Sequence, residues 1–344
     1  MIRFECDYGE GCHPEILKRL TETNMEQHPG YSQDKHCENA RKLIQSFCHD
    51  ENIDVHFLVG GTQANATVIA SVLRPHQGVL AAQTAHINNH ESGAIEADGH
   101  KVLPLASDDG KIEASQILAY CEAHYGDDFS EHMVQPGMVY ISQPTENGTL
   151  YSREELYKLR EACDKYDLPL YVDGARLGYG LVSPANDATI DDLIKCCDVF
   201  YIGGTKVGTL FGEAVVIVND ALKKDFRYHI KQHGGMFAKG RLLGIQFETM
   251  FEDGLYLKVA DHAVSLALKI RKAFEEKGIP FCYDSFTNQQ FPILENSQIE
   301  KFKENYAISF WEKVDDTHSA VRFCTSWATD PASVDTLIKD IQAI

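Results

Sequence analysis

Seven short apolar runs, each bounded by turn residues, recur along the first two thirds of the chain, and helical patterns lie between them. No other feature narrows the fold as much. The runs are VHFLV (55–59), GVLAA (78–82), HKVLPL (100–105), MVYIS (138–142), LPLYVD (168–173), DVFYIG (198–203) and EAVVIV (213–218). Between them lie helix patterns such as TQANATVIASVL and SREELYKLREACDKY, where Ser152 reads as an N-cap with Glu155 as its capping-box partner. Near-continuous apolar strands alternating with helices predict a mainly parallel sheet covered on both faces, an α/β fold. The segment 204–212 is short for a helical crossover, which leaves an antiparallel hairpin-like pair open to the last two strands.

After about residue 245 the texture changes. LYLKVADHAVSLALKIRKAFEEKG reads as one long amphipathic helix, followed by short strands at FPIL, YAISFWEKV and SAVRFCTSW and a closing helix at ASVDTLIKDIQAI. The expected division is a large α/β domain at 1–249, including the N-terminal segment, and a smaller C-terminal α+β domain at 250–344. Lys+Arg number 32 against Asp+Glu 51, a net charge of −19. That balance argues against nucleic acid or an anionic membrane as partner and favours a small-molecule ligand. No apolar stretch is long enough to cross a membrane, and no signal-peptide pattern opens the sequence. The ten cysteines are scattered with no C-x-x-C, which fits reduced thiols in a cytoplasmic protein.

In open α/β sheets ligands bind beyond the carboxyl ends of the strands, so the residues there carry the chemistry. After VHFLV comes GGTQAN, opening a helix: Gly61, Thr62 and Gln63 form a good anion site at a helix N-terminus. After LPLYV comes Asp173, with Arg176 three residues on, and the plainest expectation is that these two pair with each other. After DVFYI comes GGTKVG with Thr205 and Lys206, 33 residues beyond Asp173, about one strand–helix–strand unit. A partly desolvated lysine loses proton affinity and becomes an amine nucleophile for a carbonyl. An anion cradle, an acid for a pyridine nitrogen and such a lysine are together what pyridoxal 5′-phosphate (PLP) requires. Nucleotide-binding glycine fingerprints and a serine-hydrolase elbow are absent. His86 and His90 have helical metal spacing but no third ligand, so no metal is expected there.

FLVGGTQAN, AHINNHESGAIE, VDGARLG and GGTKVG, in that order, resemble the threonine aldolase / β-eliminating lyase family of fold-type-I PLP enzymes. The likeness runs from FECDYGEGCHP to VRFCTSW. It implies a mostly parallel seven-stranded sheet, with Lys206 bonded to PLP, Asp173 on the pyridine nitrogen and Arg176 on the ring-hydroxyl side. By the same likeness Gly61, Thr62 and Gln63 hold the phosphate, Thr205 adjoins it, His86 stacks on the ring and Arg322 takes the substrate carboxylate. It also implies a homodimer or homotetramer with shared active sites. Three departures stand out. Where many members have R-S-D-T, this chain has ECDY, so Cys6 replaces a carboxylate-binding serine; Glu146 in QPTENG replaces a histidine; and HGGMFAKGR leaves Lys239 or Arg241 to reach a neighbouring subunit's phosphate.

The implied reaction is retro-aldol cleavage of a β-hydroxy-α-amino acid such as L-threonine or L-allo-threonine to glycine and an aldehyde. His86, His90, Glu91 or a water are the candidate bases. The alternatives are β-elimination or transamination on the same scaffold, or a non-catalytic descendant that only binds.

Overall fold

The computed structural model describes residues 1–344. A two-residue strand, Ile2–Arg3 (β1), precedes the large sheet. That sheet is built from Asp54–Leu58 (β2), Gln77–Ala82 (β3), Lys101–Leu105 (β4), Gln135–Ser142 (β5), Leu170–Asp173 (β6), Val199–Gly203 (β7) and Glu213–Ile217 (β8). Its order is β2-β8-β7-β6-β5-β3-β4. All neighbours are parallel except β8, which runs antiparallel to both β2 and β7. The short 204–212 connection returns β8 beside β7, as its length allows. β6, β7 and β8 are buried along their whole length, which is why they read as apolar runs apart from the terminal Asp173 and Glu213. No helix is long and apolar enough to cross a membrane.

The local signals act as expected. Ser152 Oγ accepts from Glu155 N at 3.2 Å, and Glu155 Oε2 accepts from Ser152 N at 2.7 Å, opening the helix Arg153–Asp164. Two glycines let the ends of β6 and β7 approach closely. A Cβ on Gly174 would lie 1.9 Å from Tyr201 O, and one on Gly203 would lie 2.2 Å from Ala175 O. No larger residue fits either position, so the two strand ends that matter most are held at backbone contact.

The long helix Leu255–Glu276 joins two cores. Tyr256, Val259, Ala260, Ala263 and Val264 pack into the main core, while Leu266, Ile270, Ala273 and Phe274 pack into a smaller cluster. Over that cluster lie Gln289–Gln290 (β9), Ile293–Glu295 (β10), Tyr306–Ala307 (β11), Ser309–Lys313 (β12), His318–Cys324 (β13) and the helix Pro331–Gln342. β13 pairs antiparallel with β9, β10 and β12. The chain's N-terminus belongs with this region: β1 pairs with β11, and Phe4 is in the smaller core. The Cys6–Tyr8 segment is thereby led between the two cores.

Candidate active site

The carboxyl ends of β2, β5, β6 and β7 border one cavity of about 640 Å³, closed on its other side by residues of β12 and β13. Asp173 ends β6 in its wall. Its Oδ2 accepts from Tyr140 OH at 2.5 Å and Asn65 Nδ2 at 3.2 Å, and its Oδ1 from Tyr201 OH at 2.5 Å and Ala175 N at 2.9 Å. Four donors compensate a buried carboxylate for lost water. The tyrosines come from the strands on either side, β5 and β7. The expected Asp173–Arg176 pair does not form. Arg176 instead binds Asp7, Nε to Oδ2 at 2.7 Å and a terminal nitrogen to Oδ1 at 3.1 Å, and Asn288 Nδ2 adds a bond to Asp7 at 3.0 Å. Burial would raise the pKa of Asp7, but Arg176, Lys206 and Asn288 outweigh it and hold the pKa at about 2. The carboxylate in turn keeps Arg176 firmly charged despite its burial.

Lys206 sits in the loop between β7 and β8. Gly204 N and Thr205 N both donate to Gly212 O, at 3.0 and 3.1 Å, and Gly212 N donates to Thr205 Oγ1 at 3.0 Å, which fixes the loop. Tyr179 OH donates to the Lys206 carbonyl. The Lys206 side chain lines the cavity, and no hydrogen bond or ion pair within the chain engages its Nζ. Burial and the Arg176 charge lower its pKa, opposed by Asp7, Asp173 and Glu213. Glu213, at the start of β8, faces the same cavity; burial pushes its pKa up to about 8 against the bond from Gly204 N at 3.0 Å.

At the end of β2 the chain passes through Val59 and Gly60 into the helix Gly61–Val72, which no side chain caps. Gly60, Gly61 and Thr62 border the cavity with that open N-terminus. The Gln63 side chain is engaged elsewhere: its Oε1 accepts from Val59 N at 3.1 Å and its Nε2 donates to His233 O at 2.9 Å, bracing the turn.

His86 and His90 lie on the opposite wall. His86 Nδ1 is 2.7 Å from Glu91 Oε1, and the same oxygen accepts from Asn65 Nδ2 at 2.7 Å. One amide therefore ties the His86–Glu91 pair to Asp173. Glu146 Oε1 accepts from Ser142 Oγ at 2.8 Å and His86 N at 3.1 Å, and burial raises its pKa. Burial, with His86, Arg322 and Lys206 nearby, lowers the pKa of His90, which keeps it neutral at pH 7. Arg322, on β13, is aimed by Gln289 Oε1 at 3.0 Å and Glu5 O at 2.7 Å, with Trp311 under its guanidinium at 5.6 Å. Tyr8 lines the mouth; Cys6 does not. Arg241 donates to Thr23 O and Asn24 O at 2.8 and 3.2 Å, and Lys239 is exposed; neither borders the cavity.

The family model for β-eliminating lyases matches residues 11–295. The chain belongs to the β-eliminating lyase family. It is similar to the threonine aldolase of Leishmania major, 42% identical over all of this chain and 99% of that one, with a TM-score of 0.96. It is also similar to the low specificity L-threonine aldolase of a Pseudomonas species (strain NCIMB 10558), 29% identical over 353 residues, 99% of this chain and 97% of that protein. Cystalysin from Treponema denticola, whose structure contains PLP, shares the fold at 15% identity and a TM-score of 0.71, covering all of this chain and 90% of that one.

In this family member several site residues escape a reading of strand ends. Asp7 stands in ECDY and Asn65 in GGTQAN, both visible as motif letters but without a stated partner. Tyr140 and Tyr201 lie inside strands, where a tyrosine reads as core. Glu213 opens an apolar strand; a charged residue at a fully buried position was its one signal.

Proposed function

We propose that this protein is a PLP-dependent lyase that cleaves L-threonine, L-allo-threonine and related β-hydroxy-α-amino acids to glycine and an aldehyde. One observation carries the reading: Lys206 presents an unpaired amine of lowered pKa to the same cavity as the hydrogen-bonded Asp173 and the clamped Arg322. The donor set fits PLP: the uncapped helix at Gly61 and Thr62 suits its phosphate, Asp173 suits its ring nitrogen and Lys206 suits its aldehyde carbon. When bound, PLP would supply an electron sink for the pair left on Cα as the Cα–Cβ bond breaks.

The chain's own groups do the rest. A lowered pKa leaves more of the Lys206 amine neutral and nucleophilic. The four donors on Asp173 fix the position of its carboxylate, which would hold a protonated ring nitrogen. Arg176, itself fixed by Asp7, lines the same cavity and would hold the ring-hydroxyl side of the cofactor. Arg322 would offer a forked donor to the substrate carboxylate and so fix the orientation of the amino acid in the cavity. Two imidazoles can take the β-hydroxyl proton: His86, whose Nδ1 is oriented by Glu91, and the neutral His90.

All ten cysteines are free thiols, eight of them buried, which suits a reducing cytoplasm. Lys239 is exposed without a partner on a loop beside the β2 end, a position from which it could serve a second subunit's phosphate in a dimer or tetramer. The test is direct. The purified protein should be yellow, Lys206→Ala should lose the colour, and L-threonine, L-allo-threonine or phenylserine should yield glycine and aldehyde. Release of pyruvate and ammonia with no glycine would assign β-elimination instead.

A further inference from the structure

Away from the cavity, one group of metal-ligating side chains converges. Glu26 and His28 lie on the connection between the helices Pro14–Glu22 and Lys35–Phe47, and His36 stands in the first turn of the second helix. Glu26 Oε2 is 2.7 Å from His28 Nε2 and 3.4 Å from His36 Nε2, and the three ligand atoms lie within 4.8 Å of one another. His36 is buried. Its other nitrogen, Nδ1, is 2.6 Å from Oε2 of Glu248, a buried residue of the helix Arg241–Phe251. Asn39 Nδ2 donates to the second oxygen of Glu248 at 2.8 Å, Arg19 lies 3.7 Å from the first, and Lys35 Nζ is 3.0 Å from Glu26 Oε2.

The tautomer decides what this cluster wants. An ionised carboxylate only accepts, so the short bond to Glu248 puts a proton on His36 Nδ1. In the neutral ring Nε2 is then a bare lone pair, and it faces a second carboxylate oxygen, that of Glu26. Two acceptors at 3.4 Å repel unless a proton or a cation lies between them. His28 Nε2 points at the same spot. A tetrahedral zinc ion with bonds of about 2.0–2.1 Å places its ligand atoms roughly 3.3 Å apart; Glu26 Oε2 and His36 Nε2 already stand at 3.4 Å, and Glu26 Oε2 and His28 Nε2 would open from 2.7 Å to admit the ion. A carboxylate on the far nitrogen of a ligating histidine is the usual orienting contact in such sites.

We infer that Glu26, His28 and His36 bind a divalent transition-metal cation, zinc in preference to magnesium or calcium, with Glu248 orienting His36 from behind. Two imidazoles and one carboxylate suit zinc, whereas magnesium and calcium favour all-oxygen shells. Lys35 is exposed on a flexible stem and can swing aside. The bound ion would fasten the connection between the first two helices to the helix Arg241–Phe251, which already holds that connection through Arg241.

The experiment titrates zinc chloride, with magnesium chloride as control, into chelator-treated holoenzyme at pH 7.5 by calorimetry and follows the thermal midpoint. One zinc equivalent per chain should bind in the micromolar range or tighter, release protons and raise the midpoint. The double variant Glu26→Gln, His28→Asn lies on a surface connection and should lose that equivalent while forming glycine at the wild-type rate. Glu248→Gln should weaken binding about tenfold by removing the orienting carboxylate. Lys35→Gln should tighten it. Absence of a zinc equivalent in the wild type, or equal binding by the double variant, would overturn the site and leave His36 as an imidazolium held between two carboxylates.

Discussion

Replacing Asp7 by Asn tests the internal support of the cavity. The substitution keeps the shape but removes the charge that Arg176 is bonded to, in a place without water. The folded protein lowers the pKa of Asp7 from 3.8 to about 2. At about 1.36 kcal/mol per tenfold change in proton affinity, that corresponds to about 2 kcal/mol favouring the charged form. Arg176 would be left buried and unpaired, and breaking a buried pair from one side typically costs about 3–5 kcal/mol, so about 2 is a lower bound. For 344 residues, an unfolding entropy near 2.1 cal/mol/K per residue makes 2 kcal/mol a fall of about 3 °C in midpoint. The pH dependence has a definite sign. The folded pKa is depressed, so this stabilisation is complete above about pH 4 and is lost as pH falls toward 2. Asp7→Asn should therefore unfold at lower urea than wild type from pH 4 to 8, with the gap closing in acid. A second readout is independent of stability. Asp7 raises the proton affinity of Lys206 and Arg176 lowers it, so the variant's lysine should titrate at lower pH, seen in the pH dependence of the cofactor absorbance. An unchanged urea midpoint together with an unchanged lysine titration would refute the reasoning.

Asn65→Leu should cut turnover about 10- to 100-fold with little change in substrate affinity, because it removes the amide shared by Glu91 and Asp173; steady-state kinetics separate the two. Arg322→Lys should raise KM for L-threonine, costing about 1.5–3 kcal/mol in kcat/KM, since an ammonium cannot span both carboxylate oxygens while holding Gln289 and Glu5. Gly174→Ala should express poorly or unfold at lower urea, because its Cβ would meet Tyr201 O at 1.9 Å and must separate β6 from β7.

The sequence by itself determined the layers and the positions of the chemical groups along the chain. The apolar runs at 199–202 and 214–218 suit a strand covered on both faces, so each marks a buried strand wherever it ends up. Because ligands collect at carboxyl ends of such strands, Asp173, Lys206, Gly61 and Thr62 could be picked from local context as candidates, and all four line the cavity, whereas Gln63, picked with them, braces Val59 and His233 instead. The short 204–212 link left room for an antiparallel return, which β8 makes beside β7. Pairings between distant residues were another matter. Arg176 lies three residues from Asp173, yet its charge is answered by Asp7, 169 residues away, because the N-terminal segment is drawn to the smaller core by β1 and Phe4. Tyr140, Tyr201 and Asn65 become donors to one carboxylate only because β5, β6 and β7 are neighbours in the sheet and the helix Gly61–Val72 crosses their ends. A polar side chain's partner is set by which elements share a wall, and burial then makes that partner obligatory; neither condition exists until the chain has folded.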